Sequence, residues 1–482
     1  MSAQLPVVVI GAGPVGLAAA AHLLARGFTP LVLEAGRGVG AGVRHWGHVR
    51  MFSPWAFNLD REAVALLQAQ GWQAPDPAQF PTGREIIEHY LRPLAEAPAI
   101  ASHLRLRARV TAVARQRRDR MKNAQREVVP YAVRYEHDGA EHEVLAQAVI
   151  DASGTLENPN PAGASGLPAI GERAARAHIA YGMPDVAGAE RERYAGKRVL
   201  VVGSGHSALN VLADLARLAA EGSDVRIYWA IRRASVQRVL GGGENDQLKE
   251  RGRLGSRIGR LIESGVIRVH ANTYIERIAR DVDGWVVSGD GATLPPVDEV
   301  VVATGFRPDL SLLDEVRLDL DPGTQAPAAL APLIDPNLHS CGTVRPHGAL
   351  ELRHPDANLY IVGMKSYGRA PTFLLATGYE QVRSVVAAIA GDWEAARRVE
   401  LVLPETGVCN TQFAEDDATA AASGCCGGPA PADVDACCVA DADAKAAGST
   451  GCGCGGSPKA AVLPVRVVPP AARASCCGSA AP

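Results

Sequence analysis

Three glycines near the N-terminus have the spacing with which a backbone turn binds a diphosphate. Gly11, Gly13 and Gly16 follow a short β-branched run, and Pro14 stands among them. In order, these glycines would allow a tight turn, a close approach of the backbone to a pyrophosphate, and close packing of the next helix, whose N-terminus attracts negative charge. Glu34 closes the following strand, where an acidic side chain accepts hydrogen bonds from an adenosine ribose. The pattern predicts a dinucleotide site.

A second glycine turn lies near the middle of the chain. Its residues are Gly203, Ser204, Gly205, His206, Ser207 and Ala208. Alanine is an accepted residue at the third packing position, and we interpret His206 as a helix-entry residue near the pyrophosphate, not as an acid or base. Arg232 and Arg233 end the next strand in place of an acid. Two guanidiniums suit a 2′-phosphate, so NADPH is predicted over NADH; two solvated arginines on a loop are the alternative.

The cysteines are confined to one end of the chain. Of ten, none lies in residues 1–340, Cys341 stands alone, and the other nine fall between Cys409 and Cys477. Their pairs lack the spacing of tetrahedral zinc knuckles, but clustered thiolates favour soft, thiophilic ions. Unstructured thiols without a dedicated ligand are the alternative. The candidate metal ligands are Cys425, Cys426, Cys437, Cys438, Cys452, Cys454, Cys476 and Cys477.

The composition is that of a soluble globular protein. Of 482 residues, 47% are hydrophobic and 21% are charged, and the formal net charge is -3. This balance provides no electrostatic argument for nucleic acid or an anionic membrane as partner. Residues 7–24 approach the length of an apolar membrane span, but glycines interrupt them and Arg26 follows. Because we find no signal peptide, we expect the cytoplasm, where cysteines are thiols or metal ligands.

The elements that must position these residues occur twice in the same order. The first set consists of strand 7–10, helix 17–26, strand 30–33, helices 61–70 and 84–95, strand 105–113, a hairpin turning at Asp138-Gly139, and strand 144–151. The second consists of strand 198–202, helix 208–218, strand 224–230, a hairpin turning at Asp290-Gly291, and strand 299–302. Each set ends in Ala-[Ser/Thr]-Gly. The repeat predicts two dinucleotide-binding units.

The predicted fold is therefore α/β, with two Rossmann-like, three-layer domains built on parallel sheets. Residues 158–171 are rich in Pro, Gly and Asn and read as a linker, and a strand at 358–362 with a helix at 377–390 would complete the first domain. We predict the first domain at 1–160 and 299–403, and the inserted second domain at 161–298. The tail at 404–482 has too little apolar surface to offset its ordering entropy, so we expect it to be disordered.

The body of the chain resembles the two-dinucleotide-binding flavoproteins, and among them the flavin-containing monooxygenases. The resemblance covers about residues 5–400. It is carried by residues 7–34, by Tyr-Ala-Gly-Lys at 194–197 before the second glycine turn, and by Ala-Thr-Gly-Phe-Arg-Pro at 303–308. It implies FAD in the first domain and NADPH in the second.

The resemblance also implies particular cofactor contacts. These are Trp46 beside the flavin, the backbone of Val110 at the adenine, and Gly154 and Gly363 against FAD. One feature departs from the family pattern. In many flavin monooxygenases a linker histidine precedes an aromatic residue by four positions, whereas His178 precedes Tyr181 by three. This departure weakens assignment to the best-known subgroups, and His178 is interpreted as an ordinary surface or core histidine.

The distribution of cysteines bears on the oxidant. Disulfide reductases of this superfamily place two cysteines against the flavin because electrons leave through a thiolate. Residues 1–340 contain no cysteine, so oxygen is the expected oxidant of the reduced flavin, and one oxygen atom would pass to a soft nucleophile. The cofactor carries this chemistry, and we therefore assign no catalytic side chain.

The tail looks like those of proteins from arsenic-resistance operons, in which vicinal cysteines bind trivalent arsenic. Its terminal Cys476-Cys477 pair is also similar to that of mercuric reductases. The first hypothesis is thus a monooxygenase that oxidises a trivalent arsenical, arsenite or methylarsenite, with oxygen as co-substrate. One alternative is a disulfide or metal-ion reductase that passes electrons through the tail cysteines. Another is a metal-sequestering tail on a flavoprotein of unrelated substrate.

Overall fold

The computed structural model describes residues 4–240, 249–337, 346–370, 373–401 and 445. The chain divides into two units at residue 412, and every element discussed below lies in the first. Its strands are β1 Val7–Ile10, β2 Pro30–Leu33, β3 Leu104–Arg105, β4 Ala108–Arg115, β5 Tyr131–His137, β6 Ala140–Ala146, β7 Ala148–Asp151, β8 Ile179–Tyr181, β9 Arg198–Val202, β10 Arg226–Ala230, β11 Ile267–His270, β12 Arg277–Asp281, β13 Gly284–Gly289, β14 Ala292–Thr293, β15 Glu299–Val302 and β16 Leu359–Ile361.

The α-helices are generally short. They are α1 Pro14–Ala25, α2 Ala41–Arg44, α3 Arg61–Gln68, α4 Gly83–Ile86, α5 Arg92–Glu96, α6 Pro98–Ala101, α7 Arg191–Tyr194, α8 His206–Ala220, α9 Gln237–Leu240, α10 Lys249–Glu263, α11 Ala331–Ile334, α12 Leu375–Ile389 and α13 Trp393–Arg397. A 3-10 helix, Gly363–Tyr367, follows β16. Among the described residues, no helix is both long and apolar enough to span a membrane.

The first sheet has the order β16-β7-β1-β2-β3, and its pairings are parallel. β1 is buried along its whole length because both faces of the sheet are covered. Val7 and Val9 face helices α1 and α12. Val8 and Ile10 face the antiparallel sheet β4-β5-β6. These are the three layers that the sequence predicted.

The second sheet repeats this arrangement, with the order β11-β10-β9-β15-β8 and parallel pairings. Val199 and Val201 of β9 face helices α8 and α10, whereas Leu200 and Val202 face the small antiparallel sheet β12-β13-β14. The predicted α/β fold with two Rossmann-like units is confirmed. In the chain, β16 follows all the strands of the second sheet, but it pairs with β7 in the first sheet.

Several predicted boundaries differ from the structure. The strand expected at 105–113 is divided between β3, which pairs with β2 in the first sheet, and β4, which pairs with β5 in the antiparallel sheet. The segment expected as one strand at 144–151 is two strands in two sheets, because residues up to Ala146 pair antiparallel with β5 and residues from Ala148 pair parallel with β1. Gln147 lies between them and donates its N–H to the carbonyl of Pro6. Strand β15 pairs with β9, so the second sheet extends past the predicted division at residue 298.

A buried ion pair closes the amino edge of the first sheet. Arg126 donates through two guanidinium nitrogens to both carboxylate oxygens of Asp356, at 2.8 and 2.7 Å, and both side chains are buried. Asp356 also accepts the backbone N–H of Arg317 at 2.8 Å. Burial raises the pKa of Asp356, but the bonds from Arg126 and Arg317 outweigh it and hold the pKa below its ordinary value.

Breaking this ion pair should destabilise the fold. We expect Arg126→Met to lower the free energy of unfolding by about 3 kcal/mol, because the buried Asp356 carboxylate loses both hydrogen bonds from Arg126 and keeps as a charged partner the more distant Arg115 guanidinium, at 3.7 Å. The double variant Arg126→Met/Asp356→Asn should recover part of that loss. Since the folded-state pKa of Asp356 is depressed, its stabilisation is present above its unfolded pKa and is lost as pH falls. Urea denaturation at neutral and acid pH measures both effects, and equal stability of the single variant and wild type would contradict them.

Candidate functional site

The first glycine turn is held by contacts inside the protein at two of its three glycines. Gly11 has a φ of +96°, and a Cβ there would lie 2.9 Å from the carbonyl oxygen of Ala152. A Cβ on Gly16 would overlap the carbonyl oxygen of Gly11. A Cβ on Gly13, in contrast, would meet nothing within 4 Å. Gly13 therefore borders open space, which is where a pyrophosphate would approach.

Helix α1 directs its N-terminus at that open space. Its N-cap is Gly13, Pro14 occupies its first turn, and the turn has neither a side-chain cap nor an acidic residue. Backbone N–H groups in the first turn of a helix have no intrahelical acceptor, and they carry the positive end of the helix dipole. The arrangement thus fits a bound diphosphate.

Glu34 holds the turn as well as ending strand β2. Its Oε2 accepts the backbone N–H of Ala12 at 2.6 Å and its Oε1 accepts that of Gly36 at 2.7 Å, and the side chain is buried. A carboxylate has about four acceptor positions, so two remain for ribose hydroxyls. The predicted ribose contact stays a prediction, and the structure adds a role in shaping the turn.

The strand order shows which way a dinucleotide would lie. If the pyrophosphate lies at β1 and the adenosine ribose at β2, the other half of FAD would extend over β7 and β16. Gly154 follows β7 with a φ of +73° and open space where a Cβ would be. Gly363 follows β16 with a φ of +68°, and its N–H is already donated to Oε1 of Gln381 at 2.7 Å. Gly363 would thus approach FAD through other atoms than its N–H.

The two remaining predicted FAD contacts lie at the rim of the first domain. Trp46 is partly buried against the core, and Gly83 leaves room for its ring, since a Cβ there would lie 2.7 Å from it. Val110 lies next to a bulge in β4, opposite Tyr135, and packs on the cluster that contains Leu33 of β2. Val110 is therefore near the strand expected to hold the adenosine.

The second glycine turn repeats the first. Gly203 has a φ of +126°, and a Cβ there would overlap the carbonyl oxygen of Ala303, whereas a Cβ on Gly205 would meet nothing within 4 Å. Trp229 donates its indole N–H to the carbonyl of Gly203 at 2.7 Å. Helix α8 begins at His206 without a side-chain cap or an acid in its first turn. Ser204 and Ser207 are partly exposed, and Ala208 is buried.

The two predicted phosphate-binding arginines differ in their surroundings. Both follow β10 and are exposed. Arg232 donates to the carbonyl of Ala164 at 3.0 Å, so one of its donors is in use. Within the described part of the chain, the guanidinium of Arg233 has no hydrogen-bond or ion-pair partner. Arg233 is therefore the better placed of the two to bind a 2′-phosphate.

A loop of the first domain contacts the second glycine turn. The ring of Phe52 meets that of His206 edge to face, with centroids 5.3 Å apart. On the same helix α8, burial raises the pKa of Asp214, and His48 is among the charges near it. Residues 46–52 thus run from the predicted flavin contact Trp46 to the second glycine turn. This loop therefore contacts the predicted NADPH-binding turn.

Two residues at the site, Lys365 and Asp151, were not predicted from the sequence, and the contacts of His178 show its structural role. Lys365 and Asp151 form a buried ion pair under Ser153, at the end of β7. The only signal was a lysine in an otherwise apolar stretch after β16. Oε1 of Glu299 accepts a hydrogen bond from Nδ1 of His178 at 3.1 Å, and the His178 ring lies against Trp285, which is an ordinary structural role for this histidine.

The predicted metal ligands lie elsewhere in the chain. Cys425, Cys426, Cys437, Cys438, Cys452, Cys454, Cys476 and Cys477 are outside the described residues, as is Cys341. In the described ranges, no group of three or more His, Cys, Asp or Glu side chains is arranged to hold a metal ion. The tail hypothesis therefore continues to rest on sequence.

Comparison with known proteins identifies relatives of the body. Residues 8–330 match the family described as pyridine nucleotide-disulphide oxidoreductase. Indole-3-pyruvate monooxygenase YUCCA1 of Oryza sativa subsp. japonica is 32% identical over 228 residues, which are 45% of this chain and 47% of that protein. The chain thus spans about half the length of this curated relative.

Solved structures share the fold at low identity. Bacillithiol disulfide reductase Bdr (YpdA) from Bacillus cereus superposes with a TM-score of 0.60 at 19% identity, over 80% of this chain and 99% of that one. DfoA bound to FAD, the desferrioxamine biosynthetic pathway cadaverine monooxygenase from Erwinia amylovora, superposes with a TM-score of 0.57 at 14% identity, over 84% and 98%. At these identities the likeness is one of fold.

Alanine substitutions at two glycines of the first turn should distinguish an effect on FAD binding from an effect on folding. We expect Gly13→Ala to leave the melting temperature of the apoprotein near that of wild type and to weaken FAD binding about tenfold or more, because its methyl enters the pyrophosphate space. Gly16→Ala should instead lower that melting temperature by several degrees, since its methyl overlaps the Gly11 carbonyl. Thermal melts and FAD titration of the apoprotein measure both, and unaltered FAD affinity in Gly13→Ala would refute the assignment.

The second site makes a separate prediction about coenzyme choice. Arg233→Ala should raise the KM for NADPH by about ten- to hundredfold, as expected for loss of charge-assisted hydrogen bonds, and leave the KM for NADH nearly unchanged. Arg232→Ala should have a smaller effect because Ala164 already holds one of its donors. Steady-state kinetics with both coenzymes test this, and an unchanged NADPH preference in both variants would contradict it.

Proposed function

Because the chain belongs to the pyridine nucleotide-disulphide oxidoreductase family, we propose that it is an FAD- and NADPH-dependent monooxygenase with a trivalent arsenical as substrate. The proposal has two parts. The first concerns the oxidant of the reduced flavin, and the second concerns the substrate. Each rests on a different feature of the chain.

The observation that carries the first part is the lack of cysteine around the carboxyl edge of the first sheet. Residues 1–340 and the segment at 363–368 contain none, and these include both glycine turns, the loop at 46–52 and the turn after β7. Transfer of electrons to a disulfide requires a thiolate near the flavin. Since the body supplies none there, oxygen is the oxidant that fits the site.

The residues of this chain would act by binding and alignment. The first glycine turn and the α1 N-terminus hold the FAD pyrophosphate, and Glu34 holds its adenosine end. The second turn and Arg233 would hold NADPH, and the loop at 46–52, which contacts the second turn through Phe52, would help to align the two cofactors. When bound, FAD supplies the hydride acceptor and the reaction with oxygen.

The proposed reaction balances with oxygen as the only further reactant. NADPH, a proton, oxygen and the trivalent arsenical are converted into NADP+, water and the pentavalent arsenical. NADPH supplies two electrons and arsenic supplies two, and the four reduce one oxygen molecule. One oxygen atom forms the new bond to arsenic and the other leaves as water.

The second part, the arsenical, rests on the tail sequence. Vicinal cysteines such as Cys425 and Cys426 provide paired soft ligands for a thiophilic ion. A flexible tether would raise the concentration of captured arsenical near the flavin without any new contact. The tail would then supply substrate to the body, which performs the oxidation.

One alternative is favoured by the same cysteines. If Cys476 and Cys477 at the end of the tail could reach the flavin, electrons would pass through them to a disulfide or a metal ion, and the enzyme would be a reductase. The other alternative is a tail that only sequesters metal, attached to a flavoprotein that acts on an unrelated substrate. The three functions differ in their need for oxygen and for the tail.

Consumption of NADPH and oxygen distinguishes these functions. With full-length protein we expect arsenite or methylarsenite to stimulate both at equal rates and to yield the pentavalent product. NADPH oxidation that continues without oxygen and requires the tail would instead establish the reductase.

The matched variant replaces the eight predicted ligand cysteines with serine. It should keep the flavin spectrum and the rate at saturating arsenical, but raise the KM for arsenical about tenfold or more, since the tethered capture site is lost. A variant that loses metal binding while every arsenical-dependent parameter is unchanged would favour sequestration.

A further inference from the structure

A charged pair is buried at the carboxyl edge of the first sheet, where the flavin half of FAD would lie. The ammonium Nζ of Lys365 is 2.6 Å from Oδ2 of Asp151, and the two side chains are 1% and 0% exposed. Desolvating two charges costs about as much as their attraction returns, so such a pair is weak evidence of a role in stability. The position of the pair, beside the expected flavin, therefore says more about its role than its contribution to stability does.

The pair fixes an exposed serine. Ser153 donates its hydroxyl to Oδ1 of Asp151 at 2.7 Å and accepts a hydrogen bond from Nζ of Lys365 at 3.0 Å. Its backbone N–H is donated to the same Oδ1 at 3.0 Å. Ser153 is exposed although the groups that hold it are buried. The two bonds to the hydroxyl and the one from the backbone together fix the orientation of Ser153.

The fixed serine begins a turn that faces the cofactor space. Ala152 lies against Gly11 of the first glycine turn, and Gly154 has a φ of +73° with nothing within 4 Å of a Cβ position. Across the described ranges, the backbone N–H of Gly154 has no hydrogen-bond acceptor. An N–H in a turn of this kind is a donor for an anionic or carbonyl oxygen.

We propose that Lys365 is a positioning residue for FAD, which acts through Asp151 and Ser153 to hold the Ser153–Gly154 turn against the flavin-bearing half of the cofactor. Since β7 and β16 lie on the side of β1 away from β2, the turn serves the ribityl and flavin half and not the adenosine half. This inference requires FAD at the first glycine turn and is independent of the arsenical.

The chain offers a matched control in another buried ion pair of the first domain. Arg126 and Asp356 are 4% and 3% exposed and are also joined at 2.7 Å. Asp356 precedes strand β16, whereas Lys365 follows it. The two pairs therefore lie at opposite edges of one sheet. Only the Lys365 pair is at the edge where FAD would bind.

Three ligands and three variants test the proposal on the apoprotein. The ligands are FAD, ADP, which carries only the adenosine half, and FMN, which carries only the flavin half. We expect Ser153→Ala and the neutralised pair Lys365→Met/Asp151→Asn to weaken FAD and FMN about tenfold, the size expected for lost ligand hydrogen bonds, and to leave ADP unchanged. Arg126→Met/Asp356→Asn should leave all three affinities unchanged.

Each alternative outcome has a definite meaning. Equal weakening of FAD, FMN and ADP in the site variants, or the same loss of FAD and FMN affinity in the Arg126→Met/Asp356→Asn control, would show a merely structural role for Lys365 and overturn the proposal. Unchanged FAD and FMN affinity in both site variants would also overturn it. Failure of the monooxygenase assay would not bear on it, because ligand affinity of the apoprotein is measured without turnover.

Discussion

The contact on which both sites depend is a close crossing of two backbones at the carboxyl edge of a parallel sheet. Gly11 lies against the carbonyl of Ala152, and Gly203 lies against that of Ala303. Each glycine has a positive φ, and each alanine follows the strand next to the glycine turn. A side chain at either glycine would force the strands apart, and the turn could not lead directly into its helix. The open space beside the middle glycine of each turn follows from this crossing.

The crossing also leaves one gap in each domain. Because the first and last glycine positions of each turn are committed to internal packing, the middle ones, Gly13 and Gly205, are left beside open space at the N-terminus of a helix. The internal contacts of Glu34 and of the Trp229 indole hold the turns in that shape without a ligand.

The first sheet has one buried ion pair at each of its two edges, and we assign the pairs different roles. Arg126 and Asp356 are buried at the amino edge, where they join loops that carry no cofactor residue. Lys365 and Asp151 are buried at the carboxyl edge, under the exposed Ser153. The same kind of ion pair can therefore stabilise a loop at one edge and orient a ligand-facing turn at the other.

The sequence by itself determined the features that are local. Glycine spacing, β-branched runs and turn residues predicted the glycine turns, the strands around them and the repeat of two domains, because those features depend on backbone conformation within a few residues. The absence of cysteine from residues 1–340 is likewise read directly from the sequence. Tertiary structure alone decided which strand each edge residue joins. It divided 144–151 between two sheets and placed β15 in the second sheet, since hydrogen-bond partners lie far away in the chain. It also brought Lys365 to Asp151 across more than two hundred positions, and no local pattern encodes a contact between residues that meet only after the sheet has formed.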